Sequence, residues 1–145
     1  MADIEAPPLA DQLCFDLYAA SRAVTAAYRP VLAALGMTYP QYLVMIVLWE
    51  RDSCTVREIA DALRLDHGTL TPLLRRMEIG GLVARHRDHT DERFVVVSLS
   101  KKGDALRKHA HQIQCDMKDA MALDAQGFTD LQETLRRLTE KVSRA

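Results

Sequence analysis

No stretch of this 145-residue sequence stays apolar for the ~20 residues a bilayer crossing needs; the run from Tyr42 to Trp49 is far shorter. Asp3 and Glu5 precede Pro7 and Pro8 where a secretory leader would carry a basic patch and an apolar segment, so a cytoplasmic protein is expected. Cysteine is scarce: Cys14, Cys54 and Cys115 are an odd set with no CxxC pair, which argues against a disulfide framework or a zinc knuckle. His111 and Cys115 are four apart, but two ligands without a third make a poor metal site, and neither a metal nor a cofactor is expected. Internal repeats and low-complexity tracts are also missing. Hydrophobic residues at 48% and charged residues at 27% describe an ordinary folding chain, too short for the separate lobes of a multidomain enzyme.

The net charge of -1 hides an uneven distribution. Residues 1–63 hold 4 basic and 8 acidic side chains, residues 64–93 hold 6 and 5, and residues 94–145 hold 9 and 7. The six cations of the middle segment are all arginine: Arg64, Arg75, Arg76, Arg85, Arg87 and Arg93. A planar guanidinium matches phosphate and guanine edges better than an ammonium does, and His67, His86 and His89 can add donors. On charge alone, a solvated charged surface is the preferred reading.

Hydrophobic spacing predicts a first amphipathic helix over 9–35, bent near Pro30 and ended by Gly36. Thr38 should cap a second helix running to about Arg51, with Pro40 in its first turn. Thr55 and Glu58 form a capping box for a short third helix, and Asp66 is placed to cap a fourth from His67 to Ile79, ended by Gly80-Gly81. The period then becomes strand-like: 82–87 and 94–99 flank the polar loop 88–92 as a β-hairpin. Ser100 should cap a fifth helix that carries Cys115, and Thr129 with Gln132 a last helix through Leu131, Leu135, Leu138 and Val142.

Two short helices across a tight turn, followed by a hairpin, give the order of a winged helix-turn-helix, whose second helix enters the major groove. The expected fold class is thus mainly α with a small β-hairpin wing. Arg75 and Arg76 lie on the fourth helix, Arg85 and Arg87 share a face of the first wing strand, and Arg93 stands at the wing tip, within reach of a minor groove. His67, Gly68, Thr69 and Thr71 would let the front of the fourth helix approach base edges. Five arginines on these elements favour DNA binding over use of the fold as a protein-interaction module.

On a helical wheel Cys14, Tyr18, Ser21, Thr25 and Tyr28 share a narrow stripe. Hydroxyl groups can hold a thiolate or sulfenate, although a lone cysteine also serves as a small buried hydrophobe. Fourteen residues of helix span about 21 Å, so any contact of Tyr28 with Cys14 requires a second chain. Cys54, beside the capping Thr55, reads as structural or incidental.

Several strings carry a resemblance. Leu13-Cys14-Phe15 with Tyr18, Tyr28-Arg29-Pro30, the run from Leu35 through Thr38-Tyr39-Pro40-Gln41-Tyr42 to Trp49-Glu50, Gly68-Thr69-Leu70-Thr71-Pro72-Leu73-Leu74, and Asp91-Glu92-Arg93 look like the MarR family. More closely, they resemble its organic-hydroperoxide-sensing, OhrR-like branch. The resemblance covers Leu9 to about Leu106 and implies a single domain over 1–145, with dimerisation helices at 9–35 and 101–143 around a DNA-binding lobe at 38–99. It further implies a homodimeric repressor of a pseudo-palindromic operator on double-stranded DNA, not an enzyme, that releases DNA when organic hydroperoxide oxidises Cys14. Tyr18, Tyr28 and Tyr39 would surround the sulfur, and Cys115 or a small thiol would resolve it. His67, Gly68, Thr69, Thr71, Pro72, Arg75, Arg76, Arg85, Arg87, Asp91 and Arg93 would face DNA; His67 stands where the family often has serine. Alternatives are a MarR-type repressor induced by a phenolic or aromatic ligand, and a thiol peroxidase, for which no Pro-x-x-x-Thr-x-x-Cys pattern surrounds Cys14.

Overall fold

The computed structural model describes residues 6–144 and divides into two compact units, Met1–Ala110 and His111–Ala145. Asp3 and Glu5 lie outside the described residues. The first unit contains α1 (Leu13–Ala34), α2 (Tyr39–Arg51), β1 (Ser53–Thr55), α3 (Val56–Leu63), α4 (His67–Ile79), β2 (Val83–Arg87), β3 (Val95–Leu99) and α5 (Lys101–Ala105). After a 3-10 segment (Leu106–His109) come α6 (Ala110–Met121) and α7 (Ala125–Ser143). Among the described residues no single helix is long and apolar enough to cross a membrane.

Capping explains most of the boundaries. Thr38 and Thr55 each accept a hydrogen bond from the third residue of α2 and α3, while Gln41 and Glu58 reach back to the cap N–H, leaving two fewer orphan donors per helix. α1 runs through Pro30 and closes where Gly36, at φ 74°, lets Met37 N–H return to the Leu32 carbonyl at 2.9 Å. Gly81, at φ 76°, ends α4 the same way, with Leu82 N–H on the Met77 carbonyl. The helices then bury Leu32, Val44, Met45, Leu48, Ile59, Leu70, Leu74 and Met77 completely. At roughly 1.5–3 kcal/mol for each such side chain, this core fixes the tilt of α3 and α4.

Five features depart from the sequence reading. Leu9–Asp11 forms a separate 3-10 turn and Gln12 is extended, so α1 starts at Leu13 and Cys14 falls in its first turn; the four-residue spacing of Leu9 and Leu13 needs no shared helix. A third strand, β1, pairs antiparallel with β3 with Cys54 opposite Val97, giving the order β1-β3-β2. It is three residues long and merges into the cap of α3, which leaves no alternation to detect. The single fifth helix is replaced by α5, a tightened turn where Arg107 bonds Asp52 at 2.7 Å and Asp104 at 3.1 Å, and α6, which carries Cys115. Asp124 rather than Thr129 caps the last helix: its carboxylate accepts from Gly127 N–H at 2.7 Å, and Thr129 sits inside, donating to the Ala125 carbonyl. Finally, Asp66 occupies the cap position of α4, but its side chain makes no capping bond.

Candidate functional site

The α3–turn–α4 pair presents one face of α4 to solvent. Leu70, Leu73, Leu74 and Met77 point inward, so His67, Gly68, Thr69, Thr71, Pro72, Arg75 and Arg76 are all exposed. Pro72 has no N–H, which leaves the Gly68 carbonyl without its helical donor and available to an outside partner. Beside this face, β2 and β3 pair from Val83↔Leu99 to Arg87↔Val95 and project the wing.

The wing loop is ordered by two carboxylates. Asp88 accepts from the N–H and hydroxyl of Thr90, both at 2.9 Å, and Asp91 accepts from the N–H of Arg93 at 3.1 Å. Asp91 also clamps the Arg93 guanidinium, with Nη2 at 2.7 Å and Nε at 3.0 Å. Hydrogen bonds from Arg93 hold the Asp91 carboxyl below its usual range. The arginine remains 84% exposed, so the pair aims it outward instead of burying it. Arg85 is used differently: Glu78 takes its Nε at 3.2 Å, which keeps the Glu78 carboxyl low and ties the wing to α4. Arg87 donates to the Glu92 carbonyl at 2.8 Å and braces the loop.

α3, α4 and the wing enclose an open groove of about 670 Å³, lined among others by Thr55, Arg57, Asp61, His67, Thr71 and Arg93. Sequence reasoning overlooked Arg57. The signal was present: a cation in the first turn of a well-capped helix, where acidic residues are preferred.

On α1, Cys14 is an exposed free thiol in the first turn. Tyr18, one turn on, is exposed with the Arg22 guanidinium 5.5 Å from its ring centre. Tyr28 instead packs on Tyr39 at 4.8 Å and on Tyr42 at 5.7 Å, and Tyr42 meets Trp49 edge-on at 6.1 Å. Burial, then the neighbouring phenols Tyr39 and Tyr42, push Tyr28 up to about 12, and burial raises Tyr39 and Tyr42 as well. The three phenols are therefore neutral hydrogen-bonding groups at physiological pH. The structure thus joins Tyr28 with Tyr39 but leaves Cys14 about four helical turns, and Tyr18 about three, away along the same helix. Tyr42 is the member of this cluster that the sequence reading missed; its place one turn after Tyr39 on α2 was the clue.

Cys54 is a buried thiol, raised first by that burial and then by the Glu58 carboxylate. In the second unit Cys115 is half-buried, its Sγ 3.6 Å from His111 Nε2. Among the described residues no group of three or more His, Cys, Asp or Glu side chains is arranged to hold a metal ion.

Comparison with known proteins places this geometry. Residues 26–113 match the family Transcriptional regulator SarA/Rot. The organic hydroperoxide resistance transcriptional regulator of Bacillus subtilis is 50% identical over 105 residues, covering 72% of this chain and 71% of that one. The structure of reduced AbfR bound to DNA superposes with a TM-score of 0.78 at 30% identity, over 94% of this chain and 93% of AbfR. A mutant MarR from E. coli complexed with operator DNA superposes with a TM-score of 0.76 at 25% identity, over 84% and 89%. The exposed α4 face and its wing are thus those of a transcriptional regulator, and the chain belongs to the SarA/Rot family of MarR-type winged-helix regulators.

Proposed function

We propose that this chain is a homodimeric repressor that binds a pseudo-palindromic operator when reduced and releases it when an organic hydroperoxide oxidises Cys14. The observation that carries the reading is the place of Cys14: solvent-accessible, in the first turn of a 22-residue helix whose cap residue, Gln12, offers no side-chain hydrogen bond. The 50% identity to a regulator of organic hydroperoxide resistance supports the same chemistry.

The thiolate attacks the distal peroxide oxygen. An S–O bond forms, the O–O bond breaks, and the departing alkoxide takes up a proton to become an alcohol, leaving Cys14 as sulfenic acid. A second thiol, Cys115 of another protomer or a small-molecule thiol, then attacks that sulfur and expels water to give a disulfide. Dimerisation through 9–35 and 101–143 brings Tyr28 and Tyr39 of one protomer toward the Cys14 end of the other, because a single helix cannot bridge the distance. Exposed Leu9 and Leu13 near one end of the chain, and Leu131, Leu135 and Val142 on α7, supply apolar surface for that pairing.

On DNA, α4 enters the major groove with His67, Gly68, Thr69, Thr71 and Pro72 at base edges and Arg75 and Arg76 on phosphates. Arg93, aimed by Asp91 and supported through Arg85 and Arg87, reaches the minor groove. A bias of only about 1–3 kcal/mol between wing arrangements changes affinity roughly 5- to 150-fold, enough for a switch.

Trapping with dimedone after one equivalent of cumene hydroperoxide tests the sensor. The adduct should map to Cys14 and not to buried Cys54. Labelling of Cys115 first, or of no cysteine, would overturn the assignment.

A further inference from the structure

The groove between α3, α4 and the wing holds one basic side chain that the protein does not itself use. Of the three guanidiniums that line it, Arg85 is clamped by Glu78 and Arg93 by Asp91, whereas among the described residues no carboxylate pairs with Arg57. Asp61 lines the same groove one turn further along α3 but does not pair with it.

The position sharpens the point. Arg57 is the second residue of α3, behind the capping Thr55, where the free N–H groups create a positive potential. The helix repels its own cation there, and the next residue, Glu58, shows the side chain that local electrostatics prefers. A residue that opposes its local context without an internal partner marks an outside one. The start of α4 faces the same groove through His67 and Thr71, so two helix N-termini, an unpaired guanidinium and the outward Arg93 converge on one open channel. A polyanionic strand satisfies all four together.

We propose that Arg57 binds a phosphate of the DNA backbone, holding the strand that runs between the start of α3 and the wing and so fixing the register of α4. The inference rests on the DNA-binding reading above. It assigns Arg57 a positioning role without base readout, since phosphate contacts carry no sequence information.

The test uses full-length reduced protein with Arg57→Gln and Arg57→Glu. Binding is titrated over a salt series on the duplex immediately upstream of its own coding sequence and on a scrambled duplex of equal length. Arg57→Gln should weaken both by a similar factor, about tenfold at low salt, and lower the slope of log K against log salt by about 0.9 per protomer. Arg57→Glu should weaken both further while its melting temperature stays level or rises, an outcome that a structural role cannot produce. An unchanged salt slope in Arg57→Gln, a loss confined to the upstream duplex, or a fall in melting temperature that accounts for the lost binding would overturn the proposal. Failure of the wild type to bind either duplex would instead overturn the DNA-binding reading, and this inference with it.

Discussion

Gly103 is the point where α5, the wing base and α2 meet, and replacing it by alanine should destabilise the first unit in a way that can be worked out. A Cβ at this position lands on the carbonyl oxygen of Leu82 and lies 3.1 Å from Cε of Met45. Met45 can yield, because its side chain is flexible, but the Leu82 carbonyl is held by the N–H of Ser100 at 3.1 Å. Relief must come from moving α5. That motion pulls the Gly103 carbonyl from Trp49 Nε1, a buried hydrogen bond of 3.0 Å. Overpacking costs about 1–3 kcal/mol and the lost bond about 1 kcal/mol, so about 2–4 kcal/mol is expected. At roughly 2–4 °C per kcal/mol for a chain of this size, the melting temperature should fall by about 10 °C. Trp49 is the only tryptophan, so its fluorescence follows this site directly, with protomer concentration kept equal between samples. Trp49→Phe, followed by circular dichroism because it lacks the tryptophan, removes the donor without the steric push and leaves the buried Gly103 carbonyl unpaired, at a cost of about 1–3 kcal/mol. A Gly103→Ala melt within about 2 °C of the wild type would refute the packing argument.

Two further outcomes follow from local chemistry. Thr55→Ala removes the hydroxyl that accepts from Glu58 N–H at 3.1 Å, which should cost about 1 kcal/mol and about 3 °C in a thermal melt. Tyr28, raised to about 12, makes the folded state bind a proton that the unfolded chain releases near 10. Its contribution to stability is therefore complete below about 10 and lost as pH rises toward 12, so denaturant midpoints should fall across that window. Tyr28→Phe should flatten the fall, and an equally steep decline in that variant would contradict the assignment.

The sequence made the DNA-facing half of this molecule readable because its signals are local. Capping residues Thr38 and Thr55, the glycine stops at Gly36 and Gly81, and the change of period after Leu82 each act within four residues. Elements set by distant partners stayed hidden. β1 exists only because β3 returns beside it, and the turn after α5 coincides with the Arg107–Asp52 pair, 55 positions apart. The start of α7 differs from the sequence expectation because two competing caps, Asp124 and Thr129, stand five residues apart and the sequence does not say which carboxylate or hydroxyl wins. Among the candidate site residues, the wheel put Tyr28 on the Cys14 stripe, yet only the return of α2 against α1 reveals its stacking with Tyr39 and Tyr42. Charge counting likewise ranked the wing arginines together. It could not separate Arg85, bound to Glu78, from Arg93, held outward by Asp91.

The central claim is that oxidation at Cys14 controls DNA binding, and one titration tests it most directly. Reduced wild type and Cys14→Ser are titrated at fixed salt onto the DNA upstream of the protein's own coding sequence, before and after one equivalent of cumene hydroperoxide. The account predicts tight binding by both reduced proteins and loss after peroxide in the wild type alone. Release of both proteins by peroxide, or of neither, would contradict it.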